Sequence, residues 1–132
     1  MRIPKPLIRI IGVFIFSLMC VVGPAASSLV FAGTADVLDV KIVKTEVDIY
    51  RFSVTVKHAD EGWDHYADRW EVLDTKGNIL GTRVLMHPHE NEQPFTRSMT
   101  LSVPMHVKAV IIRARDKEHG YGGREVNAVL PK

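Results

Sequence analysis

The stretch Val47-Asp48-Ile49-Tyr50-Arg51-Phe52-Ser53-Val54-Thr55-Val56-Lys57 decides the fold class. Tyr50, Phe52, Val54 and Val56 fall on one face and Arg51, Ser53, Thr55 and Lys57 on the other, the period of two that makes a half-buried β-strand. The same alternation recurs on both sides. Before it, Val37 to Val43 sets Leu38, Val40 and Ile42 on one face. After it come Tyr66 to Leu73, with Tyr66, Trp70 and Val72 facing inward, then Ile79 to Leu85, Phe95 to Val103, Val107 to Arg115 and Arg124 to Leu130. Asp74-Thr75-Lys76-Gly77 reads as a hairpin turn in which glycine takes the positive φ. Beyond Gly33 no stretch keeps apolar residues at helical spacing for three turns. Seven strands in about 100 residues, with turn signals every 8 to 12 or so, predict an all-β, seven-stranded antiparallel sandwich of immunoglobulin or fibronectin type III kind. Its expected core is Val40, Ile42, Phe52, Val54, Val56, Trp70, Val72, Leu101, Val110, Ile112, Val126 and Ala128.

The chain has 132 residues, with 17 Lys+Arg, 15 Asp+Glu, 6 His and 1 Cys. Met1 to Arg9 holds Arg2, Lys5 and Arg9 and no acid, and Ile10 to Val22 is an apolar run ending at Gly23-Pro24, the n-region and h-region of a secretory signal. That run falls short of the roughly 20 apolar residues a membrane-spanning helix needs. Val30-Phe31-Ala32 before Gly33 fits the small-x-small pattern that signal peptidase cleaves. Residues 1–32 are therefore read as a signal peptide and 33–132 as one β-sandwich domain. The alternative is an uncleaved N-terminal anchor over Leu7 to Ala32, disfavoured because Gly23-Pro24 would break a spanning helix. A lipoprotein reading finds no support at Cys20, which follows Met19 and precedes further apolar residues. The expected location is the bacterial periplasm, with membrane contact only through the N-terminal segment if it is uncleaved.

Splitting the chain at Ala32 changes what its totals mean. Arg2, Lys5 and Arg9 leave with the signal, so fourteen basic residues face all fifteen acids and the mature net charge is −1. That removes the electrostatic case for a nucleic-acid partner. Cys20 leaves too, and with it any disulfide, thiolate metal site or cysteine nucleophile. All six histidines stay.

Strand parity sorts those histidines. In a run of antiparallel strands the second, fourth and sixth connections emerge at one end of the sandwich. They carry His58 and His65, then His87 and His89, then His119, so five of the six histidines gather at one pole and only His106 lies at the other. Loops on a rigid scaffold are where binding residues concentrate. Trp63, Asp64, His65, Tyr66, Glu90, His119 and Tyr121 are the candidate contacts for a protein or small ligand, because aromatic tips beside glycines and charges suit recognition loops. The competing reading makes Trp63 and Tyr121 hydrophobic caps over the core. His87-Pro88-His89 sets two imidazoles on one side of an extended chain. With His58, His65 or His119 they form the candidate ligand set for an alternative reading, a periplasmic metal-binding or metal-delivery protein. Imidazole and carboxylate ligands favour Zn²⁺ or Cu²⁺ over Cu⁺. Connectivity of the immunoglobulin kind places His58 near His87 and His89, and His65 near His119, on sheets about 10 Å apart. Arg113 and Arg115 should lie on an outer face and pair with Asp68 or Glu71.

No enzyme is expected. Ser53, Ser98 and Ser102 lie within strands without a nucleophile elbow, and no glycine-rich nucleotide loop is present.

Three segments carry a resemblance: Gly62-Trp63-Asp64-His65-Tyr66-Ala67-Asp68-Arg69-Trp70-Glu71-Val72; Gly81-Thr82-Arg83-Val84-Leu85 with His87-Pro88-His89 and Gln93-Pro94-Phe95-Thr96-Arg97; and Arg113-Ala114-Arg115-Asp116 with His119-Gly120-Tyr121-Gly122-Gly123. Together they resemble a family of small exported proteobacterial proteins of unknown function, over roughly Lys57 to Pro131. The resemblance implies a bacterial, periplasmic protein and transfers no catalytic residue.

Overall fold

A computed structural model of the protein describes residues 33–132. The signal segment and its cleavage after Ala32 lie outside the described residues. Seven strands follow in order: β1 (Asp36–Glu46), β2 (Ile49–Lys57), β3 (Ala67–Leu73), β4 (Ile79–Val84), β5 (Phe95–Ser102), β6 (Ala109–Asp116) and β7 (Val126–Val129). They form two antiparallel sheets, β1-β2-β5 and β4-β3-β6-β7, with no helix among the described residues. The pairings of β2 with β5 and of β3 with β6, expected from the connectivity, are both present.

Alternation builds the core as read from β2. Tyr50, Phe52, Val54 and Val56 are buried and face Trp70, Val72, Val110 and Ile112 from the other sheet. Val40, Ile42, Leu101, Val126 and Ala128, expected in the core, are only partly buried. All five sit on edge strands β1, β5 and β7, where a neighbouring strand covers one side only.

Two register shifts correct the expected faces. One lies between Val37 and Asp39, so fully buried Val37 rather than Leu38 begins the inner face of β1. The other lies between Ala67 and Arg69. An extra residue there lets Ala67 and Trp70, three apart, both point inward, while Tyr66 precedes the strand and is half-buried. The turn at Asp74 is as expected: Gly77 has φ +87°, and Asp74 Oδ1 accepts the backbone N–H groups of Lys76 and Asn78.

The outer face of β3 and β6 carries the expected ion pairs. Arg115 donates to Asp68 at 2.6 Å and Arg113 to Glu71 at 2.8 Å. Tyr121 joins them, donating to Glu71 Oε1 at 2.6 Å, with the Arg113 guanidinium 3.9 Å above its ring. Tyr121 thus lies on this outer-face network rather than capping the core.

Candidate metal centre

Each histidine at the crowded pole is placed by a strand end. His58 follows the last residue of β2 and continues its alternation inward, so its side chain is fully buried. The loop after it folds back on itself: Asp60 N–H donates to His58 O and Glu61 N–H to His65 O. This return brings the His65 ring to 4.9 Å from the His58 ring, edge to face. His119 stands 4.9 Å beyond His65, on the turn after β6. The 10 Å separation expected between His58 and the His65–His119 pair is therefore bridged, because the loop folds inward over the end of the sandwich.

Asp116 ends β6 at the centre of this group. Its Oδ1 accepts the backbone N–H groups of Glu118 at 2.7 Å and His119 at 2.5 Å, which fixes the carboxylate. Its buried Oδ2 has no well-directed hydrogen bond and faces His58 Nε2 and, at 2.8 Å, His65 Nε2. The Gly33 carbonyl oxygen closes the group, 3.0 Å from His58 Nε2, 3.4 Å from His65 Nε2 and 3.1 Å from His119 Nδ1. Bonds of about 2.0–2.1 Å to one tetrahedral ion put ligand atoms roughly 3.3 Å apart; the Gly33 oxygen keeps near that spacing from the three rings, while Asp116 Oδ2 stands closer to His58 and His65, at hydrogen-bonding distance.

The far side of each ring is held as well. Asp60 Oδ1 lies 2.5 Å from His58 Nδ1, and Glu61 Oε2 lies 3.4 Å from His65 Nδ1. A carboxylate there takes the Nδ1 proton and turns the Nε2 lone pair toward the centre. In that tautomer two lone pairs, a carboxylate oxygen and a carbonyl oxygen converge without a donor; with both ring nitrogens protonated, His58 and His65 donate to Asp116 instead. Acceptors meeting in a buried space require positive charge, either protons on the rings or a cation between them.

The titration shifts follow from this arrangement. Burial pushes Asp116 up, but the His119 N–H, the neighbouring His58, the Glu118 N–H and His65 outweigh it and hold the carboxyl below its ordinary range. For His65 burial pulls down, while the Glu61 hydrogen bond, the Asp116 charge and the Gly33 carbonyl prevail and leave it raised.

The two groups of three or more ligand-type side chains among the described residues are His58 with His65 and Asp116, and His65 with Glu118 and His119. His87 and His89 join neither. Their rings do lie side by side, centroids 4.7 Å apart, as the His-Pro-His spacing implied. His89, however, is buried and stacked on Phe95 at 4.0 Å, and its backbone N–H donates to Asp60 Oδ2 at 2.6 Å. Its role is to brace Asp60, so the metal set written as His87, His89, His58, His65 and His119 divides in two. Trp63 and Glu90 meet His87 and His89 around a neighbouring cavity of about 460 Å³. Trp63 is 62% exposed and packs against Tyr66, while Asp64 is exposed beside it.

Asp60 and Asp116 were absent from the ligand set drawn from the sequence. Both fall in loops in the sequence reading, Asp60 beside His58, Glu61, Asp64 and His65, and Asp116 just past a strand ending at Arg115. The signal that could have found Asp116 is its place in the β6 alternation, which continues the inward series Val110, Ile112, Ala114 with a carboxylate.

Burial lowers the His89 pKa, with the Arg97 and His87 charges adding to it. The unfolded chain takes up this proton near pH 6.5 or so, whereas the folded protein resists it. Stability from this residue is therefore full above that pH and is lost as pH falls through it. In denaturant titrations between pH 7.5 and 5.5, His89→Phe is expected to flatten the decline. An unchanged slope would contradict the assignment.

No family model matches the chain, and no solved structure matches it. Over 90 residues it is 44% identical to a protein of Halomicrobium mukohataei, a haloarchaeon, described as a "Putative lipoprotein". The matched region is 68% of this chain and 44% of that protein, so the chain spans less than half of its relative's length. This similarity reaches outside the proteobacteria to which the sequence motifs pointed.

Proposed function

We propose that the chain is an exported β-sandwich that binds a divalent transition metal, Zn²⁺ or Cu²⁺, through His58, His65 and Asp116, with His119 beside them. One observation carries this: the Nε2 atoms of His58 and His65 converge on a buried, undonated oxygen of Asp116 while carboxylates hold both Nδ1 atoms. Imidazole and carboxylate ligands with no thiolate suit these two ions. Export is supported by the signal-like leader and by the relative's description as a "Putative lipoprotein". A binding or delivery role is favoured over an enzymatic one. Ser53 and Ser98 hydrogen-bond each other across β2 and β5, and Asp60 and Asp116 are tied up in the centre.

Titration of untagged protein with Zn²⁺ and Cu²⁺ tests the reading. Binding tighter than about 1 μM is expected. His58→Ala and His65→Ala should each weaken it by ~100-fold or more, beyond the 10–100-fold typical of outer-shell changes. His87→Ala/His89→Ala should leave the ligand set intact and cost about 10-fold at most, because the bond to Asp60 Oδ2 comes from the His89 backbone N–H, which alanine keeps. Affinity insensitive to His58 and His65 would end this assignment.

A second reading rests on the cavity beside the centre. Trp63 and Glu90 would there contact a protein or small ligand, and crosslinks from a bound partner should then map to 58–66 and 86–95 rather than to Asp74–Asn78.

A further inference from the structure

The centre contains one atom that no side chain supplies. The Gly33 carbonyl oxygen lies 3.0 to 3.4 Å from ring nitrogens of His58, His65 and His119, somewhat farther than Asp116 Oδ2 stands from His58 and His65. The backbone is shaped for this approach. Gly33 has φ +107°, and a Cβ built on it would come to 2.8 Å from Cε1 and 3.0 Å from Nδ1 of His119. In the uncleaved chain that dihedral favours glycine, and a Cβ there would have to push the His119 ring aside.

Gly33 is also the residue that follows Val30-Phe31-Ala32, the expected signal-peptidase site. Before cleavage its nitrogen is a peptide amide whose lone pair is delocalised into the carbonyl, a poor ligand unless it loses its proton. After cleavage the same nitrogen is an α-amine, with an ordinary pKa of about 7.7–8.0, and it gives up a proton when it binds a metal. An amine and the carbonyl oxygen of its own residue close a five-membered ring on one ion.

We propose that the processed N-terminus completes the metal centre: the Gly33 α-amino group and carbonyl oxygen bind the same ion as His58, His65 and Asp116, so that the full site exists only after export. This rests on the metal reading above and adds to it the step that matures the site. Removing the leader creates a nitrogen ligand on the residue whose carbonyl oxygen already lies beside three imidazoles. The precursor, still carrying the amide, would hold the metal through side chains and the carbonyl alone. The tightest binding would thereby belong to the far side of the membrane.

The test uses the full chain exported by a bacterial host supplied with ¹⁵N-glycine and unlabelled other amino acids. Intact mass should show that the processed product begins at Gly33. With one equivalent of Cu²⁺ added, electron paramagnetic resonance should show a directly coordinated ¹⁵N. Imidazoles carry no label from glycine, so this nitrogen can only be backbone. Copper bound without a ¹⁵N coupling, or a product beginning elsewhere than Gly33, overturns the proposal and leaves the side-chain centre standing. A product that binds no copper overturns both.

Discussion

Asp116→Ala is expected to destabilise the domain by about 3–5 kcal/mol, the usual cost of stripping one partner from a buried charged network. The carboxylate is fully buried and holds four groups at once: the N–H groups of Glu118 and His119, and the rings of His58 and His65. Without it the two N–H groups lose their acceptor, and the turn after β6 no longer fixes His119. Asp116→Asn should be milder, because the amide oxygen can still accept those N–H groups. Its amide cannot match the carboxylate as a ligand, so it should separate the two roles, keeping much of the stability and losing most of the metal affinity. Denaturant unfolding of metal-free protein, with parallel Zn²⁺ titration, measures both. Equal effects of the two substitutions on stability would mean that the carboxylate charge, not the turn it caps, holds this end together.

Gly123→Ala should also be severe, ~3 kcal/mol, at the upper end of what overpacking costs. A Cβ at this position would lie 2.0 Å from the Ala35 carbonyl oxygen and 2.6 Å from its carbon, both backbone atoms that cannot swing aside. The neighbouring hydrogen bonds, Val37 N–H to Arg124 O at 2.8 Å and Arg124 N–H to Asp36 Oδ1 at 2.7 Å, fasten the start of β1 to the segment before β7. Those bonds hold the chain that carries Gly33 into the centre. Separating the segments should therefore weaken metal binding although no ligand is touched. Gly77→Ala gives the contrast: its Cβ meets nothing within 4 Å, and its φ of +87° adds only the left-handed penalty of about 1–2 kcal/mol. Comparable losses for the two would argue against the close approach at Ala35.

The strands were legible because alternation reports a two-sided environment directly. In β2 and β6 the apolar positions read from the sequence are the buried ones. The face assignments failed at Leu38 and Tyr66, where a single extra residue in the pairing reverses parity, which a period of two cannot reveal. Parity also brought five histidines to one pole without any knowledge of loop shape. Which of them meet was beyond it. The fold-back between His58 and His65 depends on loop hydrogen bonds, and His89 is withdrawn by stacking on Phe95. Gly33 had no chemical side chain to draw attention, and only its position against three rings marks it.

A crystal of the processed protein soaked in Zn²⁺, with anomalous scattering recorded at the zinc edge, tests the central claim most directly. One strong peak is expected about 2.0–2.1 Å from His58 Nε2, His65 Nε2 and Asp116 Oδ2. A peak held by His87 and His89 instead, or an empty centre in crystals that bind zinc elsewhere, would contradict it.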